Sequence, residues 1–232
     1  MAHAAAGRRA VRVEVISDTI CPFCFLGKRR LERAIAAVKS RNPELQVDVT
    51  WRPFFLDPSL PKEGMNKMDS YRRKFGAERA ELMVERMAET GKADGVNFSY
   101  GGMVANTLAS HRVIEIALKR GGRAAQDRVV EELFQNYFEQ EKNIGETAVL
   151  VNALRAGLPD LSAAEAEALV QSDDEVTAAQ VEREVVEYRQ KYKVTGVPFF
   201  VIGTESKDVV KVSGAQDSTY LESVFEAILD EN

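Results

Sequence analysis

The sequence predicts an α/β domain interrupted by a large all-helical insertion. Strand-like segments occur only near the two ends of the chain, at 11–17, 45–51, 199–202 and 209–212. The stretch from 65 to 172 carries almost purely helical periodicity. Pro53, Pro58 and Pro61 break regular structure at the first junction. Together these divide the chain into 11–63, 64–172 and 173–232, with the first and last parts forming one domain.

Val11 to Ser17 alternates apolar and polar residues and is rich in β-branched side chains, so it reads as a strand with one face in the core. Leu26 to Lys39 places Leu31, Ile35 and Val38 on one helical stripe, which Asn42-Pro43 ends. Leu45 to Trp51 alternates again, completing a βαβ unit. Within the insertion, Asn106 or Thr107 caps a helix through Ile114 and Leu118 that Gly121-Gly122 closes. The clearest helix is Arg123 to Gln140, whose stripe is Val129, Val130, Leu133, Phe134, Tyr137 and Phe138. Ser162 to Glu165 matches a capping box, and a long helix is expected from Asp173 to Tyr192. Phe199 to Ile202 and Val209 to Val212 read as a hairpin turning at 203–207, and Ser218 to Leu229 as a final amphipathic helix.

The 232 residues suffice for a core that needs no disulfide staples, and two cysteines exclude a disulfide-rich secreted scaffold. A net charge of −5 with no basic block argues against a nucleic-acid partner. The first ten residues are Ala/Arg-rich without an apolar h-region, and the first apolar run is broken by Arg12 and Glu14. That run is too short for a signal peptide or a membrane span, so no membrane partner is expected and the expected location is the cytoplasm.

The chemistry lies in Cys21-Pro22-Phe23-Cys24, placed directly after a strand and opening a helix. A helix N-terminus offers unpaired N–H groups and positive partial charge, which favour a thiolate. Cys21 is then the attacking and more exposed thiol, and Cys24, one turn on, the buried resolving thiol. Pro22 fits the first turn, where its missing N–H costs nothing. Half of a zinc site is a poorer reading, because only His3 and His111 remain as soft ligands. No metal is therefore expected. Two inert core thiols are a further alternative. Thr195-Gly196-Val197-Pro198 places a proline at the mouth of an apolar strand. A cis Val197–Pro198 bond or an ordinary trans proline ending a loop both fit, and the upstream C-x-x-C favours cis.

These residues resemble the thioredoxin superfamily and, within it, the DsbA-like branch and its FrnE-type proteins. The resemblance rests on Ser17-Asp18, Cys21 to Cys24, Gly27 to Leu31, Trp51 to Phe54, Leu56 to Pro58, Asn106-Thr107, His111-Arg112, Gly196 to Phe200 and Ser213 to Gln216. It implies a thioredoxin fold with a large all-helical insertion and disulfide exchange with protein, peptide or glutathione substrates. It also implies a cis-proline loop against the active cysteine, where the Val197 backbone pairs with an extended substrate. Pro22, Phe23, Val197 and Pro198 are then substrate-binding residues. No bound cofactor is expected, and glutathione is the candidate co-substrate. Kappa-class glutathione transferases and hydroxychromene-carboxylate isomerases share the architecture but typically carry serine at the first cysteine position. A glutathione-dependent transferase or isomerase is thus the alternative function, and a non-catalytic peptide-holding module the third.

The branch usually has tryptophan after the proline. Phe23 keeps an aromatic surface but supplies neither charge nor donor, so a reductase or isomerase is expected rather than a dedicated oxidant. His111 either lines the cleft and assists proton transfer or is a hydrogen-bonded helix residue. The Arg72-Arg73-Lys74 run reads as a solvated face. Asp18 is either a charge acting on Cys21 or Cys24 or a strand-end turn residue.

Overall fold

The computed structural model describes residues 10–205 and 209–230. His3 and the end of the 203–207 turn lie outside the described residues. Strand β1 (Ala10–Ser17), helix α1 (Pro22–Arg41) and strand β2 (Gln46–Pro53) form the opening βαβ unit. β1 and β2 run parallel, with Val13 beside Val49. Near the end of the chain, β5 (Phe199–Gly203) pairs antiparallel with β1, and β6 (Val210–Ser213) antiparallel with β5. The sheet order is β2-β1-β5-β6, so β1 and β5 are central. Alternation on β1 then has a direct consequence. Val11, Val13 and Val15 enter the main core, while Ile16 packs with Phe199 and Val201 on the other face. Helix α8 (Ser218–Asp230) packs on α1.

Between the halves lie β3 (Met65–Asn66), α2 (Lys67–Phe75), α3 (Ala77–Asp94), β4 (Met103–Val104), α4 (Leu108–Phe138), α5 (Thr147–Gly157) and α6 (Ala163–Gln171). The insertion is therefore not entirely helical. Met65 pairs with Val104 in a two-stranded ladder. Gly64 (φ 86) and Gly102 (φ 75), both in a conformation that favours glycine, turn the chain into it.

The two helices expected at 106–122 and 123–140 abut as α4, with Gly122 breaking the helix at φ 69, ψ −169. The capping box at Ser162 and Glu165 is formed. Helix α7 (Ala178–Tyr192) starts later than expected, capped by Thr177. The cause is Arg112, whose guanidinium takes the carbonyls of Val170, Ser172 and Val176 and holds that segment out of helical geometry.

The insertion shares a core with the sheet rather than owning one. Phe25 of α1 stacks on Phe134 of α4 at 5.1 Å, and Trp51 of β2 meets the same ring edge-on at 6.2 Å. Full burial of such a ring stabilises by about 1.5–3 kcal/mol. Gln126 of α4 closes the outer edge of β2. Its Oε1 accepts from the Trp51 N–H at 2.9 Å and its Nε2 donates to the Trp51 carbonyl at 3.0 Å. That pairing satisfies an edge strand that would otherwise present open backbone groups.

Candidate active site

Cys21 is the N-cap of α1, and Pro22 holds its first turn. Its N–H donates to the Asp18 carbonyl at 3.0 Å, and its own carbonyl accepts from Cys24 at 3.0 Å. Strand β1 thus delivers the chain through a tight turn into the helix, with Cys24 one turn inside. Both sulfurs are free thiols. Cys21 is the more accessible of the two thiols, though by little, at 4 % against 0 % for Cys24. The exposed member of the motif is Phe23, at 49 %. Its side chain lines the rim of the cleft.

The Val197–Pro198 peptide is cis. The Cys21 Sγ–H donates to the Val197 carbonyl at 3.6 Å. Pro198 is buried and Val197 half-buried. The Val197 N–H has no protein acceptor among the described residues. Gly27 permits the close approach of helix and loop, because a Cβ there would sit 3.0 Å from Pro198 Cγ and 3.1 Å from Phe200 Cζ.

In front of Cys21 opens a cleft of about 300 Å³. One side is Ile20, Cys21, Pro22, Phe23, Gly196 and Val197. The other side comes from the insertion and includes Tyr71, Lys74, Phe75, Met83, Tyr100 and Tyr137. The Arg72-Arg73-Lys74 run divides accordingly. Arg72 pairs with Asp69 and Glu81 at the surface, whereas Lys74 reaches the cleft.

Behind the motif lies a second polar cluster. Burial pushes the Cys24 thiol well up from its ordinary value, and the adjacent Cys21 adds to this, while the Ser17 side chain and the Asp18 backbone act in the opposite sense. Asp18 is fully buried; its Oδ2 accepts from the Leu56 N–H at 2.7 Å, and its Oδ1 stands 3.4 Å from His111 Nε2. His111 Nε2 is also 3.0 Å from the Phe54 carbonyl. His111 is therefore a buried helix residue outside the lining of the cleft, tying α4 to the segment after β2.

The sequence brings Cys21, Pro22, Phe23, Cys24, Val197 and Pro198 into candidacy; the fold gathers Cys21, Pro22, Phe23 and Val197 at this mouth and buries Cys24 and Pro198 next to them. It does not single out Tyr71, Tyr100, Tyr137 or Lys67. Lys67 is completely buried, its Nζ donating to the Tyr137 carbonyl at 2.7 Å and lying 3.9 Å from that residue's ring centroid. Burial pulls this amine down to about 8, with Glu141 opposing. Among the described residues no cluster of three or more His, Cys, Asp or Glu could hold a metal ion, and no helix is long and apolar enough to cross a membrane.

Comparison with known proteins places this geometry in context. An uncharacterized protein of Bacillus subtilis, YwbO, is 27 % identical over 199 residues, covering 83 % of this chain and 87 % of the relative. The crystal structure of a probable DsbA oxidoreductase from Streptomyces coelicolor superposes with a TM-score of 0.80 at 27 % identity, covering 96 % of this chain and 91 % of that one. The cytosolic disulfide reductase DsbM from Pseudomonas aeruginosa, solved with GSH, shares the fold with a TM-score of 0.59 at 17 % identity, covering 95 % and 98 %. The profile of the DsbA-like thioredoxin domain matches residues 12–226, and the chain belongs to that family.

Proposed function

We propose that the protein is a thiol-disulfide oxidoreductase working through Cys21 and Cys24. The supporting observation is the placement of two free thiols one helical turn apart at the start of α1, the first facing an open cleft and the second sealed behind it. The family carries disulfide oxidoreductases and related isomerases, and two sulfurs in this arrangement fit the former.

The reaction divides into two displacements. The Cys21 thiolate attacks one sulfur of a substrate disulfide; a Cys21–substrate S–S bond forms, and the other half leaves with the electron pair as a thiolate. Cys24 then gives up its proton, attacks Cys21 Sγ, and releases the second half as a thiolate. Two electrons pass to the substrate, and the protein is left with a Cys21–Cys24 disulfide. A Cys24 thiol held above its ordinary value stays protonated while Cys21 reacts, which orders the two steps. The free Val197 N–H offers a backbone donor to an extended substrate, and Phe23 an apolar rim. Glutathione enters this scheme as a reductant that reopens the disulfide.

We place the protein in the cytoplasm and assign it the reducing direction, with a potential near about −200 to −230 mV. Phe23 adds neither charge nor donor beside Cys21. Equilibration in graded glutathione buffers with free-thiol counting measures this; a value above about −150 mV makes the protein an oxidant.

The residue roles are tested by trapping. Cys24→Ser incubated with oxidised glutathione or an insulin disulfide should accumulate a mixed disulfide on Cys21, visible by mass. Cys21→Ser should accumulate none and should lose insulin reduction. Equal adducts on both variants, or reduction surviving in Cys21→Ser, would remove the assignment.

A further inference from the structure

The cleft wall opposite the motif has a feature that thiol exchange alone does not require. Three tyrosines meet there: Tyr71 from α2, Tyr100 from the segment between α3 and β4, and Tyr137 from α4. The Tyr71 and Tyr100 rings are 5.5 Å apart, edge to face. Tyr137 is 1 % accessible and Tyr100 7 %. Buried tyrosine hydroxyls ordinarily find a partner. None of these three has one among the described residues. None of the three is sealed in: among the described residues, the fully enclosed unpartnered side-chain oxygens are those of Asp18, Glu184 and Thr204. The three hydroxyls thus open into the cleft without an acceptor.

Burial holds all three phenols above their ordinary range, with Cys21 adding to the effect at Tyr71 and Tyr100. They remain neutral donors wherever the thiols work. Lys74 is the one cationic side chain lining this cleft, and it has no carboxylate partner among the described residues. Asp57, the one carboxylate in the lining, accepts from Ser59 at the rim. Apart from Ser70, the remaining wall is largely apolar, with Ile20, Leu60, Phe75, Met83 and Met87. A volume of about 300 Å³ is at the small end of the range for small-molecule sites and differs from a flat protein-docking face.

We propose that Tyr71, Tyr100 and Tyr137, with Lys74, form a binding site for a small disulfide whose leaving half carries a carboxylate on an apolar, aryl-sized body. The apolar body lies against Phe75, Met83 and Met87, and the carboxylate takes the phenol hydrogens. Three neutral donors replace the water an anion loses on entering such a cleft. This deepens the exchange reaction above and rests on it. The Cys21 thiolate forms the new S–S bond to one half of the substrate, the substrate S–S bond breaks, and the electron pair leaves on the thiolate of the carboxylate-bearing half. Cys24 then releases the retained half, and two thiols are produced per dithiol oxidised.

The test uses the pre-reduced full chain and three probes: 5,5′-dithiobis(2-nitrobenzoate), neutral 4,4′-dithiodipyridine, and oxidised glutathione. Each rate is divided by that of dithiothreitol under the same conditions, which removes intrinsic reactivity. The carboxylate aryl probe should exceed both others by about tenfold in this ratio. Tyr100→Phe and Tyr137→Phe keep the ring packing and should each lower the carboxylate rate about five- to tenfold, the net worth of one hydrogen bond, while moving the dipyridine rate less than twofold. Equal losses on both aryl probes, or no preference for the carboxylate, would overturn the site. A second readout separates this from failure of the exchange reading. Calorimetric binding of 3-mercaptobenzoate to Cys21→Ser should weaken five- to tenfold on adding Tyr137→Phe, even if no probe is ever reduced. Unchanged affinity would overturn the site on its own.

Discussion

The two walls of the cleft are built to different standards of rigidity. Helix α1 buries Cys24, Phe25, Leu26, Gly27, Lys28, Leu31, Ala34 and Val38 along its length, in the core it shares with the sheet, and packs against α8. Across the cleft, α2 buries only Lys67, and α3 only Ala80, Gly91 and Asp94. The reacting sulfurs therefore sit on a well-packed helix, while the facing wall is fastened at a few points. Lys67 pins the start of α2 to the end of α4. Asp94 pins the end of α3 to α1 through Arg30 and Arg33. Phe98 folds over Gly91, where a Cβ would meet its ring at 2.4 Å. Such a wall can adapt to what enters without disturbing the geometry of the thiols.

The largest expected effect is in local opening. Amide hydrogen exchange should be at least about a hundredfold faster over 67–94 than over the buried turns of α1, because sparse burial lowers the free energy of sub-global opening. Equal protection on both sides would erase the distinction between a fixed wall and an adaptable one.

Next in size is the tie at Asp94. Its carboxylate is 5 % accessible, with Arg30 at 18 % and Arg33 at 46 %. Burial alone would push this carboxyl up, and the hydrogen bonds from Arg30 and Arg33 hold it below its ordinary value. A depressed acid contributes stability that is present above its unfolded value, about 3.9, and is lost as pH falls through the folded value. Asp94→Ala should cost about 2–3 kcal/mol at neutral pH, with the added exchange concentrated in α3. A loss spread evenly over α1 and the sheet would show that the two walls form one cooperative unit.

The two walls also differ in how far their roles can be read from residues. Cys21 to Cys24 and Gly196 to Pro198 are short contiguous runs whose chemistry is local: a thiol at a helix start, a proline at a strand mouth. The tyrosines carry no such mark. Tyr137 falls on the apolar stripe with Val130, Phe134 and Phe138, where periodicity reports burial but not which ring ends at a cavity. Tyr71 adjoins three basic residues in a short polar helix, and Tyr100 lies in a segment without regular period. Lys67 runs against the ordinary rule that lysine stays at the surface, because its partners are backbone carbonyls contributed by tertiary structure. The delayed start of α7 has the same kind of cause, since Arg112, on a different helix, competes for the carbonyls of the preceding segment.

The smallest effect, and the most diagnostic of how α2 is fastened, is the pH dependence contributed by Lys67. Its amine is held down to about 8 by burial, against an unfolded value of about 10.4. Below pH 8 both states carry the proton, and the folded protein bears the full cost of a buried charge. Between about 8 and about 10.4 the folded state has released that proton while the unfolded state keeps it. The unfolded state then binds more protons, so stability rises with pH across this window. Lys67→Met fills the same space without a charge and leaves the Tyr137 carbonyl short of one donor. The wild-type minus variant difference in unfolding free energy should therefore climb by about 1–2 kcal/mol between pH 8 and pH 10 and stay flat between pH 6 and pH 7. Titration of the thiols and tyrosines is common to both proteins and cancels in that difference. A flat difference across the whole range would mean that the amine is solvated and that α2 is not held by a buried charge, leaving Asp94 and Phe98 to fasten the adaptable wall.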